Sequence, residues 1–118
     1  MSEAWPEELR LADEGGRLAL RFDNGESHSL SAELLRVESP SAETKGHGSE
    51  TPPPPAKKRK VSVIGAEPVG RYALRIKFDD GHNTGLYTWA YLRELGEQKS
   101  SRMAAYIGRL REFGLTRD

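Results

Sequence analysis

From Arg17 to Phe22 apolar and polar positions alternate strictly. Leu18, Leu20 and Phe22 fall on one face and Arg17, Ala19 and Arg21 on the other. Period two is the signature of a strand with one buried face. Asp23-Asn24-Gly25 turns the chain, and Glu26 to Leu30 returns along it. Ser31 then stands where it would cap a short helix, Ala32 to Arg36, burying Leu34 and Leu35. Upstream, Glu8 to Ala12 reads as a first strand with Leu9 and Leu11 on one face. A turn at Glu14-Gly15-Gly16 separates it from the next strand.

The same order recurs downstream. Val61 to Glu67 reads as a short strand and Pro68-Val69-Gly70 as a turn. From Tyr72 to Phe78, residues Tyr72, Leu74, Ile76 and Phe78 face inward, and Ala73, Arg75 and Lys77 outward. Asp79-Asp80-Gly81 turns the chain and His82 to Tyr87 returns. Thr88 caps a helix that runs through Leu95 and is stopped by Gly96. After a polar linker, Ser101 opens a last helix over about 101–113. Its Met103, Tyr106, Ile107, Leu110 and Phe113 follow the spacing of one apolar face. Gly114 ends it.

Alignment of Phe22-Asp23-Asn24-Gly25 with Phe78-Asp79-Asp80-Gly81 sets the hairpin register. A two-residue loop would put Leu30 and Leu86 on the polar face. A three-residue loop, with the glycine left-handed at a bulge, pairs Phe78 with His82, Leu74 with Leu86 and Leu18 with Leu30. The second choice is expected, because a one-residue slip would leave leucines in water. His82 then points to the apolar face beside Phe78. An antiparallel sheet with one apolar face needs a cover, and the last helix supplies it. The fold class is therefore α+β: two layers, with an antiparallel sheet of two repeated strand-turn-strand-helix units under a C-terminal helix.

Between Val37 and Lys60 the pattern vanishes. The stretch is rich in Ser, Gly, Pro and charge, and its four consecutive prolines cannot join a sheet interior. Residues 49–60 are expected to form a mobile loop, with Ser39 to Gly48 the better-ordered part.

Composition narrows the function classes. The chain has 118 residues, enough for one modest core. Its 18 basic and 18 acidic side chains balance, so no global field draws it to nucleic acid or a membrane. It has no cysteine, which removes disulfides, thiolate metal sites and a cysteine nucleophile together. The first residues are acidic and lack the apolar run of a signal peptide, and no window approaches a membrane span. A soluble, cytoplasmic protein is expected.

The segments LRL, LSAELLRVESPSAETKGHG and PVGRYALRIKFDDGHNTGLYTWAYLREL, in this order, resemble the gamma-butyrobetaine hydroxylase-like N-terminal domain family over roughly Pro6 to Leu95. The resemblance implies a domain that precedes a 2-oxoglutarate- and iron-dependent oxygenase domain in eukaryotic carnitine-synthesis hydroxylases. The same domain also occurs attached to P-loop iron–sulfur carriers, and alone in many bacteria with no settled activity. It further implies a structural zinc held by three cysteines and a histidine. Those positions are Ser39, Ser41, Thr44 and His82 here, so only the histidine is kept. A serine hydroxyl is not a zinc ligand at neutral pH. The oxygenase domain and its iron ligands are absent from this sequence, so the resemblance does not carry hydroxylation with it.

Two readings of the histidines stay open. In one, His82, His47 and Glu43 or Asp80 rebuild a metal site suited to zinc or iron(II). In the other, His82 makes a structural hydrogen bond at the bulged turn and His47 marks a bend between glycines. The run Lys57-Lys58-Arg59-Lys60 could be an import signal or phosphate patch, or a solvated loop; without aromatics beside it, nucleic-acid recognition is not expected. Trp89, Tyr91 and Tyr87 are core by default and partner anchors if exposed. Asp79, Asp80, Glu38 and Glu43 have no spacing that argues for an acid–base pair. No catalytic residue is assigned. The expected function is a non-catalytic accessory module, monomeric or weakly dimeric. It would hold a protein partner through His47, His82, Trp89 and Tyr91, with no cofactor. The alternative is a small zinc- or iron-binding protein.

Overall fold

The computed structural model describes residues 5–40, 54–83 and 85–118. Three strands open the chain: β1 (Pro6–Ala12), β2 (Arg17–Phe22) and β3 (Ser27–Ser31). Helix α1 (Ala32–Val37) follows. Then come β4 (Val63–Val69), β5 (Ala73–Phe78), β6 (Gly85–Thr88) and helix α2 (Trp89–Glu112). The class is α+β. The strands divide into two antiparallel sheets, β1-β2-β3 and β4-β5-β6, where one sheet was expected. Each middle strand takes both of its neighbours from its own unit, so β1, β3, β4 and β6 are the outer strands of the two sheets.

The two units share their hydrogen bonds as well as their order. Gly25 and Gly81 take φ of 91° and 92°, the left-handed conformation that only glycine adopts without strain. Phe22 N–H donates to the Glu26 carbonyl at 2.9 Å, and Phe78 N–H to that of His82 at 2.9 Å. Both hairpins therefore use the three-residue loop. The first turn aspartate braces the residue before the outer strand in each unit. Asp23 donates its N–H to Trp5 O and accepts from Trp5 N; Asp79 does the same with Ser62. Ser31 and Thr88 cap the two helices, accepting from Leu34 N–H and Tyr91 N–H.

The register differs between hairpins. In the first, Leu18 faces Leu30 as expected. In the second, Leu74 faces Tyr87, and Leu86 falls opposite Arg75 on the outer face. The cause lies in the sequence: the N-cap Thr88 stands six positions after His82, whereas Ser31 stands five positions after Glu26. The extra residue shifts the returning strand by one position. Tyr87 is fully buried in place of Leu86, which is exposed.

Other expectations are corrected too. Tyr72 precedes β5 and is exposed rather than inward, its ring 6.1 Å from that of Trp5. Pro68 and Val69 belong to β4, not to a turn. Gly96 does not end a helix; α2 runs unbroken from Trp89 to Glu112, so the separate helix over 101–113 is its second half. A Cβ on Gly96 would collide with the His28 ring, so this glycine serves a close approach between helix and strand. Phe113 lies past the end of α2, half exposed under the Arg109 guanidinium.

One core joins both units. Leu18, Leu20, Phe22 and Leu30 meet Leu74, Ile76, Phe78 and Tyr87, closed by Leu34, Leu35, Leu92 and Leu95 from the helices. Each such side chain contributes about 1.5–3 kcal/mol when taken from water. Each helix also reaches the other unit's hairpin. Arg36 of α1 bonds Asp80 at 2.8 Å, while Arg93 of α2 bonds Glu26 at 2.5 Å.

Residues 49–53 of the expected mobile loop lie outside the described residues. Within Pro54 to Lys60, the Pro55 carbonyl accepts from Tyr106 Oη at 2.6 Å. Lys57 and Arg59 donate their N–H groups to the carbonyls of Thr116 and Arg117.

Candidate functional site

The candidate site gathers around the second hairpin turn. His82 follows the bulged turn, and its ring packs 6.0 Å from that of Phe78. It is 5% exposed. Its Nε2 lies 2.8 Å from Ser39 Oγ, itself buried just after α1. Gly85 makes this meeting possible, because a Cβ there would come within 2.6 Å of Ser39 Oγ. Below them the Tyr87 hydroxyl donates to the Leu35 carbonyl. Burial pushes that phenol above its ordinary range, the Ser39 hydroxyl drawing it part of the way back.

Asp80 closes the mouth of the turn. It accepts from Lys58 Nζ at 2.6 Å, from Arg36 Nε at 2.8 Å and from His82 N–H at 3.1 Å. Burial raises its carboxyl pKa, but these donors together outweigh burial and hold it at about 2. Arg36 is bound only in part: its Nη1 is buried with no hydrogen-bond partner among the described residues.

Trp89 and Tyr91 are engaged within the fold. Trp89 is 8% exposed, and its indole Nε1 donates to the Arg71 carbonyl at 2.8 Å. Tyr91 stacks on Tyr87 and donates its hydroxyl to Glu38 O at 2.6 Å. Burial, with the Glu38 charge, pushes this phenol to about 12. The helix N-cap at Thr88 starts the turn that carries Trp89 into the core and packs the partly buried Tyr91 against it.

Of the four zinc positions that the resemblance implies, Ser39 and His82 do meet. Ser41 and Thr44 lie outside the described residues, as do His47 and Glu43. The donor set does not suit zinc: the residues aligned with its cysteines are hydroxyls, which neutral pH leaves protonated. Among the described residues no three His, Asp or Glu side chains assemble around one point. Of the carboxylates weighed as an acid–base pair, Asp79 is engaged in its turn brace and Glu38 with Arg102 at 2.9 Å, while Glu43 lies outside the described residues.

Sequence reading missed the partners of this turn. Arg36 and Lys58 stand 44 and 22 residues from Asp80, and no local pattern announces such a meeting. Ser39 was weighed only as a lost ligand. The signal that could have found its role was Gly85, a glycine inside a strand, which often marks a close approach.

Comparison with known proteins bears on the same residues. Residues 9–93 match the model of the family described as gamma-butyrobetaine hydroxylase-like, N-terminal. One solution NMR structure is 42% identical, with a TM-score of 0.82, covering 99% of this chain and 92% of that one. A second is 39% identical, with a TM-score of 0.79, covering 98% and 86%. A crystal structure of a protein of unknown function from Acidithiobacillus ferrooxidans is 37% identical, with a TM-score of 0.62, covering 77% of this chain and 91% of that one. The search of curated proteins found no match.

Proposed function

The chain belongs to the gamma-butyrobetaine hydroxylase-like N-terminal family, and from that membership we propose that it is a non-catalytic accessory module that holds a protein partner. One observation carries the reading. Strand β1 is the outer strand of the first sheet, and Leu9 and Leu11 lie in register with the buried Leu20 and Leu18, yet are 37% and 41% exposed. Trp5, beside them, is also exposed, and its ring approaches that of Tyr72.

An open strand edge flanked by apolar side chains recruits another strand readily. The partner segment would add to β1 and cover Leu9 and Leu11. The reading also fits the candidate site, where the Asp80 and His82 contacts brace a turn and the Ser39–His82 pair is buried.

The test is affinity capture with the native chain and with Leu9→Glu/Leu11→Glu, both shown to melt at similar temperatures. The module reading expects a defined partner on the native chain that is lost from the variant. An Arg75→Glu control on the opposite sheet should retain it. Equal capture by all three would exclude the β1 edge.

A further inference from the structure

The outer face of the first sheet carries a different feature. The side chains of Ala19 and Ser29 are cross-strand neighbours there, both short. Around that floor stand Arg17 and Arg21 along β2, Arg10 from β1 and Lys99 from α2. Ser27 faces Arg21 and Ser31 faces Arg17, so hydroxyls alternate with the cations. The depression has a volume of about 510 Å³ and continues into a second of about 280 Å³ that shares Ser29 and Lys99.

From this arrangement we propose that the cleft binds a small molecule through a chain of two or more phosphate groups. The charge balance favours an anion. Glu8 lies 3.3 Å from Arg21 and Asp13 3.3 Å from Arg17, but all four side chains are half exposed, where such pairs are worth little. Arg10 and Lys99 have no carboxylate partner among the described residues. Lys99 Nζ instead points at the Ser29 carbonyl, 3.3 Å away, and Arg17 at Ser29 Oγ. The chain is formally neutral, so this is a local concentration of charge and not a general field.

Chemistry and size narrow the anion. Guanidinium forks match phosphate oxygens bidentately, and serine hydroxyls add neutral donors. Arg17 and Arg21 are four residues apart on a strand, a span of about 13 Å. With Arg10 and Lys99 between them, the cleft offers more cationic groups than one phosphate engages bidentately, whereas a di- or triphosphate can engage them together. The volume is that of a small-molecule site. No Trp, Tyr or Phe lines either depression, and the one ring that does, His28, is held by Glu26 at 3.1 Å and packed against Gly96. The charged end of the ligand is therefore what the cleft reads.

The test uses the full chain and pyrophosphate at constant ionic strength, followed by backbone amide shifts. Saturable shifts at Ala19, Ser27 and Ser29 are expected, with a dissociation constant of about 1 mM or below. Arg10→Glu/Lys99→Glu should weaken binding by about tenfold or more. Ala19→Glu, which fills the floor without touching the core, should do the same. Arg75→Glu/Lys77→Glu makes an equal charge change on the second sheet and should leave binding unchanged. Unsaturable shifts, an equal loss in the second-sheet variant, or citrate binding as tightly as pyrophosphate would each overturn the proposal.

Discussion

Gly96, in the middle of α2, packs directly against the imidazole ring of His28 on β3. The corresponding contact in the other unit is Ser39 against Gly85. At one point the helix side is bare and the strand carries the bulk; at the other the strand is bare and the segment after the helix carries a hydroxyl.

Gly96→Ala should therefore destabilise the protein by about 1–3 kcal/mol, as overpacking does, despite alanine's better helix propensity. Gly108→Ala, in the same helix with open space around its Cβ, should stabilise by about 0.5–1 kcal/mol. Urea denaturation of both variants checks the pair, and equal effects of one sign would refute the contact.

Asp80 sets an acid limit on stability. Its folded pKa, about 2, lies below the ordinary aspartate value of 3.8. The unfolded chain thus takes up the proton first as pH falls. The stabilisation is fully present above about pH 4 and is lost on descending toward pH 2. Thermal melts of the native chain should fall steeply across that window. Those of Asp80→Asn should start lower at pH 7 and fall less between pH 4 and 2.

The shifted register of the second hairpin makes opposite demands on adjacent residues. Leu86→Glu, on the outer face, should change stability by no more than about 0.5 kcal/mol. Tyr87→Phe should cost about 1–3 kcal/mol, because the buried Leu35 carbonyl loses its donor. If denaturation shows Leu86→Glu to be the more damaging change, the register is wrong.

The donor set around His82 predicts that elemental analysis of the purified chain, and of His82→Ala, will show no stoichiometric zinc or iron. Ser39→Ala should still destabilise by about 1 kcal/mol through loss of the hydroxyl contact with Nε2. Stoichiometric metal that disappears in His82→Ala would replace this reading with a metal site.

Local features were legible in the sequence. Alternation marked β2 and β5, and the turn glycines fixed the loop type, because strand period and left-handed backbone are properties of a few adjacent residues. Ser31 and Thr88 announced both helices. Gly96 misled because a glycine after an apolar run reads as a stop. A stopping glycine is left-handed, as Gly114 is at φ 67°, whereas Gly96 is not among the positive-φ residues. The inward placement of Trp89 and Tyr91 depends on carbonyls of Arg71 and Glu38, at separations of 18 and 53 residues. A single extra residue between turn and cap decided which of Leu86 and Tyr87 entered the core. It was countable, but only by measuring from the cap and not from the turn.

The reciprocal reach of Arg36 to Asp80 and Arg93 to Glu26 makes the molecule resemble a homodimer fused into one polypeptide, each half completing its neighbour. Contacts of this kind are self-complementary across a twofold in true dimers. Neither half carries its own arginine partner. A chain severed within 41–53 should accordingly give two fragments that lack native near-UV circular dichroism when separate and recover it on mixing. Joining the halves in one chain would then raise their effective concentration.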